Sequence, residues 1–147
     1  MKKNRTIAIL HIAAIVLLFF VALNALAAGY SFITDPSGKG LGINTSYLEP
    51  SAPFADYFIP GIVLFLVNGV LSIIIALIAI YKKPVYPMLL MLQGCIFAGW
   101  IAVQLLMVTA VHPLHFIIGS IGIILFFIGW FLKSKKGNTS TLGVSNA

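Results

Sequence analysis

The chain has 147 residues, of which 61% are hydrophobic, 12% aromatic and 8% charged, with a mean hydropathy of +1.09. A soluble domain is about 45–50% apolar and about 25% charged, so this composition excludes a soluble globular protein and predicts an integral membrane one. Nine basic residues against three acidic ones leave a net charge of +6, but the basic residues lie between apolar runs instead of along a stripe, which argues against a nucleic-acid partner.

Lys2, Lys3 and Arg5 precede the first apolar run, 7–28. A basic start, an apolar stretch and Ala25-Leu26-Ala27 also describe a cleavable secretory segment. The run is near 20 residues, whereas the apolar region of such a segment is typically about 7 to 15, and Asn24 and Ala28 suit an outer helix end. It is therefore read as a retained span. The segment 29–57 is rich in turn residues (Asp35-Pro36-Ser37-Gly38, Gly42, Glu49-Pro50, Ala52-Pro53) and in aromatic and aliphatic anchors. A compact, ordered outer loop is predicted there. In it Asp35 caps its own turn, Asp56 or Tyr57 caps the following helix, and Pro60 occupies a first-turn position that needs no amide hydrogen. The second run is 58–81. Lys82 and Lys83 divide it from the third, 87–111, and His112-Pro113-Leu114-His115 leads into the fourth, 114–132. Lys133, Lys135 and Lys136 open a tail, 133–147, whose Ser, Thr, Asn and Gly content predicts disorder.

Each run is close to the roughly 20 residues that cross a hydrocarbon core of about 30 Å. Unpaired backbone groups in lipid cost several kcal/mol each, so runs of this length are helices. The predicted fold is all-α: one membrane domain, 1–132, forming an antiparallel four-transmembrane-helix bundle. Basic loops stay in the cytoplasm. Eight basic residues fall on the side of both termini and only Lys39 on the other, so both termini face the cytoplasm and dual-topology insertion is disfavoured. The short Met1-Lys2-Lys3 start points to a bacterial inner membrane.

Lipid offers helices no hydrophobic reason to associate, so small residues must let backbones approach. In the second run Gly61, Asn68, Ser72 and Ala79 share a face, their spacings being 7, 4 and 7. In the third, Gly94, Ala98 and Ala102 form a ridge, with Cys95 and Gly99 beside it. In the fourth, Gly119, Gly122 and Gly129 flank Phe126. The lone Cys95 excludes an intramolecular disulfide and a cysteine-built zinc site, and is expected to be buried.

Polar residues within the spans are the candidates for chemistry. A rise of about 1.5 Å per residue places Asn24 and Gln104 near the outer surface, Asn68 and Trp100 near the midplane, and His11 and Gln93 toward the cytoplasm. Gln93, Trp100 and Gln104 share a face. Asn24, Asn68, Trp100 and Gln104 then compose an outer-half polar seam under Asp35 and Asp56, serving either as helix–helix glue or as a ligand lining. His112 and His115 are weak metal candidates, which Asp35, Glu49 or Asp56 would have to complete, and capping or interface roles suit them better. His11 is too far from them to build a bis-histidine haem, and no cofactor is expected. No span carries an acid, lysine or arginine. A proton-coupled exchanger therefore lacks its titrating group, and hydrolase, zincin and P-loop motifs are absent.

Asp35-Pro36-Ser37-Gly38 with Leu41-Gly42, then Ser51-Ala52-Pro53-Phe54-Ala55-Asp56-Tyr57-Phe58-Ile59-Pro60-Gly61, and Trp100-Ile101-Ala102-Val103-Gln104, resemble small uncharacterised bacterial four-helix membrane proteins. The likeness covers about 7–132 and leaves out the tail. It implies the fold and topology and draws attention to Asp35, Asp56 and Gln104, but it supplies no reaction. The functional expectation is a non-catalytic membrane protein: an accessory subunit, a homo-oligomer or a binder of a small hydrophobic molecule, with the lipid bilayer as its constant partner. The alternative is an enzyme or carrier for a lipid-like molecule that uses the polar seam.

Overall fold

The computed structural model describes residues 2–48, 50–109 and 113–142, with side chains over 5–48, 50–109, 113 and 115–135. Among them it is helical with no strand, and four helices are long and apolar enough to cross a membrane. We label these α1 (Lys2–Thr34), α2 (Phe58–Ile80), α3 (Tyr86–Met107) and α4 (Pro113–Leu142).

α1 runs six residues further than the apolar run suggests, because nothing in Gly29-Tyr30-Ser31-Phe32-Ile33-Thr34 breaks a helix. The Asp35 amide makes the last helical bond, to Ser31 O at 2.8 Å. Pro36 then ends it by disfavouring helical geometry in the residue before it. The segment predicted as outer loop from residue 29 therefore begins at Asp35. α4 likewise continues to Leu142, past Leu132 and into the segment predicted as disordered. Lysine is a good helix former, no proline intervenes, and propagation from an existing helix avoids the cost of nucleation. Residues 143–147 lie outside the described ones.

α2 is not a uniform helix. Residues Phe58–Val63 and Leu71–Ile80 are α-helical, and Leu64–Val70 between them is π-helical, with the Leu71 amide bonded back to Leu66 O. A π-turn shifts the backbone ladder by one residue and leaves a carbonyl without its usual partner.

Glycines set the helix spacing. A methyl group added at Gly29 would stand 2.7 Å from the Phe65 amide nitrogen and 2.9 Å from Gly61 O, and one at Gly69 would meet Leu26 at 2.7 Å. α1 and α2 therefore touch backbone to backbone. Added at Gly94 it would lie 2.5 Å from Gly122 O, and at Gly129 2.5 Å from Pro87 O, so α3 and α4 are equally close. Ala14, Leu18 and Val21 of α1, Ile75 and Ala76 of α2, Leu90 and Phe97 of α3 and Leu125 of α4 fill the interior. α1 thus supplies part of the core.

The predicted small face of α2 is buried at all four positions, Gly61, Asn68, Ser72 and Ala79. The predicted ridge of α3 is not. Gly94 is buried, but Cys95, Ala98, Gly99 and Ala102 are exposed, and nothing lies within 4 Å of a methyl group at Gly99. The expectation of a buried Cys95 is therefore corrected. α3 meets α4 through Gly94 and through the Ala98 backbone, 3.2 Å from a methyl group placed at Gly122, while Cys95, Gly99 and Ala102 lie toward the outside.

Gly94→Val should destabilise the protein by about 1–3 kcal/mol through overpacking, whereas Gly99→Ala should leave its melting temperature in detergent unchanged.

Candidate functional site

The polar interior centres on the π-turn of α2. Gln93 of α3 is fully buried. Its Nε2 donates to the Val67 carbonyl at 3.0 Å and to Ser72 Oγ at 3.0 Å, and Ser72 Oγ–H donates to Asn68 O at 2.6 Å. Val67 follows the last π-bonded carbonyl, so the irregular backbone and the glutamine that caps it are one unit. Beside it stand groups with no hydrogen-bond partner: both side-chain atoms of Asn68, Gln93 Oε1 and Trp100 Nε1. Asn68 is only 2% exposed.

Of the four residues predicted to form the seam, Asn24 does not join the other three. Asn68 is buried, and Trp100 and Gln104 are half-buried farther along the helix that carries Gln93. Asn24 is exposed and donates to Phe20 O of its own helix at 2.7 Å, so it does not join them. Gln93, placed by residue counting toward the cytoplasmic end and outside the seam, bonds across to Val67 and Ser72 of α2. Together with Ser72 it is the polar element that the predicted site omitted. The signals for both were present: Gln93 shares a face with Trp100, and Ser72 shares one with Asn68.

Asp35 and Asp56 serve the loop. Asp35 Oδ1 accepts from Ser37 Oγ at 2.5 Å and from the Ser37 amide at 3.2 Å, while Oδ2 accepts from the Gly40 amide at 3.0 Å. Asp56 Oδ1 accepts from the Phe58 amide at 2.9 Å, capping α2 as its position predicts. Between them Tyr57 is buried, its ring stacked on Phe32 at 4.8 Å, its amide on Pro36 O at 3.0 Å and its hydroxyl donating to Asn44 O at 3.2 Å. Gly38 has φ 72° and the Tyr57 ring against it, so a side chain there would be both strained and obstructed. The loop also reaches the segment just after α3, where the Thr109 amide donates to Tyr47 O at 2.8 Å.

Hydrogen bonds, chiefly from Ser37 Oγ and then the Gly40 amide, hold the Asp35 carboxyl below its ordinary value of 3.8. Burial holds the Tyr57 phenol above its ordinary 10.0. His11 packs edge-on against Tyr86 at 5.1 Å. His115 is half-buried at the start of α4, while His112 and Glu49 lie outside the described residues. Among the described residues no three His, Cys, Asp or Glu side chains are grouped to hold a metal.

No family model matches the chain, and neither a curated protein nor a solved structure matches it.

Two outcomes test this geometry. Gln93→Leu strands the Val67 carbonyl and should cost on the order of 1 kcal/mol, within the measured range for membrane hydrogen bonds. Asn68→Leu removes an amide that has no partner, so it should be neutral or stabilising; equilibrium unfolding in mixed micelles compares the two. The Asp35 effect has a definite sign. A depressed carboxyl pKa contributes stability above the unfolded value and loses it as the pH falls through the folded one. Hydrogen exchange at the Ser37 and Gly40 amides should therefore be equally protected at pH 7 and pH 5, and protection should fall only below 3.8. Asp35→Asn should remove that acid dependence.

Proposed function

We propose that this is a multi-pass protein of the bacterial inner membrane, its four helices antiparallel, both termini cytoplasmic and the outer loop ordered over one end of the bundle. It is non-catalytic, acting through its membrane-embedded surface as an accessory subunit or as a binder of a small hydrophobic molecule. The helix order is supported by paired contacts: Gly29 with Gly61 and Leu26 with Gly69, then Gly94 with Gly122 and Pro87 with Gly129. The orientation is supported by the basic residues clustered at one end.

The observation that carries the functional reading is the engagement of the polar groups. Asp35 and Asp56 accept their own loop's amides, Gln93 donates to Val67 and Ser72, and Asn24 donates to its own helix. Groups engaged in this way hold structure together, whereas general acid–base work needs a group within reach of a substrate proton. A second reading, a carrier or enzyme for a lipid-like molecule, is favoured by the unpartnered Asn68 amide, Gln93 Oε1 and Trp100 Nε1.

Complementation of a deletion strain separates the two. Gln104→Ala and Asp56→Ala should restore the phenotype in proportion to folded protein in the membrane, with Asp56→Ala lowering that amount through loss of a cap worth about 0.5–2 kcal/mol. Loss of function at an unchanged folded amount would overturn the non-catalytic reading and move the function to the Asn68, Trp100 and Gln104 face.

A further inference from the structure

The π-turn of α2 and the glutamine that reaches it from α3 carry more hydrogen-bonding groups than the protein pairs among themselves. Asn68 is 2% exposed, and Ser72 and Gln93 are fully buried. The Ser72 hydroxyl ties these residues to one place: its Oγ donates to the Asn68 carbonyl at 2.6 Å and accepts from Gln93 Nε2 at 3.0 Å. What is left over is the side-chain amide of Asn68, both Nδ2 and Oδ1, together with Gln93 Oε1, all buried and without a partner. A polar group taken out of water and left unbonded carries its full desolvation cost. Three such atoms on residues joined through one hydroxyl call for a single ligand.

Chemistry and size decide what it is. The unpaired set is one donor group and two acceptors. A metal cation would use Oδ1 and Oε1 but meet the hydrogens of Nδ2, and no helix offers an acidic side chain to balance its charge, since Asp35, Glu49 and Asp56 all lie between α1 and α2. An anion would face two carbonyl oxygens. An uncharged hydroxyl, which both donates and accepts, suits all three atoms. Enclosure limits its size: a methyl group at Gly69, the next residue, would already stand 2.7 Å from Leu26 of α1, so a long-chain alcohol would have to part the helices. A buried water makes about three hydrogen bonds, the number required here. We propose that the π-turn is an internal hydration site, in which one water molecule is held between α2 and α3, accepting from Asn68 Nδ2 and donating to Asn68 Oδ1 and Gln93 Oε1. This gives the asparagine a role at a position where leucine would pack. Leucine would displace the amide and its water together, an exchange that is close to neutral in stability, so hydration is what the substitution changes. The site exists under either functional reading.

The test is proton-detected solid-state NMR of the full-length protein in bilayers of deuterated phosphatidylcholine, reading magnetisation transfer from water to the amides. The side-chain amides of Asn68 and Gln93 should both show cross peaks to water, and the backbone amide of the fully buried Ile75, two turns farther along α2, should show none. In Asn68→Leu the water cross peak at Gln93 should be lost while the Gln93 side-chain resonances stay in place, which shows that its bonds to Val67 and Ser72, and with them the fold, are kept. An Asn68 amide without a water contact in the wild-type protein would overturn the proposal whatever the variant does, as would a contact at Gln93 that survives Asn68→Leu. A direct bond between the two amides, seen as coupling between Asn68 Nδ2 and Gln93 Cδ, would also overturn it, as would a cross peak from Asn68 to a co-purified organic molecule, which would give the site to that ligand.

Discussion

An apolar side chain gains almost nothing by exchanging lipid for a neighbouring helix, so a bundle of this composition cannot rest on the hydrophobic effect that holds a soluble core together. Backbone proximity takes its place. Gly29 lies against Phe65 and Gly61, and Gly94 against Gly122, so closely that a single methyl group would not fit. Dispersion is weak per atom pair and grows with the number of pairs at contact distance, so removing Cβ atoms along a crossing lets two whole backbones contribute. The fold depends on this constraint. It also explains why large side chains such as Phe116, Phe127 and Trp130 point outward without penalty.

The glycine contacts join α1 to α2 and α3 to α4. Between these pairs, polar and aromatic contacts join specific groups: Gln93 to Val67 and Ser72, His11 against Tyr86, and Thr109 to Tyr47. Dispersion tolerates sliding, since one apolar surface resembles another a turn away. A hydrogen bond does not. Gln93 bonds both a carbonyl of the π-turn and the Ser72 hydroxyl, so the irregular turn and the glutamine together fix the register of the first pair against the second.

Much of this was legible in the residues. The four spans follow from length and composition, and the buried face of α2 follows from the spacing of Gly61, Asn68, Ser72 and Ala79. Asp35 and Asp56 reveal their capping roles through their positions beside Pro36 and before Phe58. Periodicity fails where a helix offers two equivalent answers: Gly94, Ala98 and Ala102 repeat as regularly as any packing ridge, yet most of that ridge is exposed. Asn24 fails differently. An asparagine in a helix can satisfy its amide on the carbonyl four residues back, and its residue type does not announce whether it reaches for a neighbour or for its own backbone.

The polar site itself was the least legible part, and the π-turn is the reason. Residue counting assumes an even rise and about 100° per residue, and the π-turn in α2 departs from both within 64–70. Counting residues along α3 did not reveal that Gln93 would bond across to α2, because the carbonyl it reaches lies in the irregular turn. The bonded unit it forms leaves Asn68 buried without a partner, at the cost of desolvating an amide in the apolar interior. A bundle built only for stability would hold a leucine there. The asparagine therefore marks the point where packing alone does not account for the residue, and it lies in the same turn that sets the register between the two helix pairs.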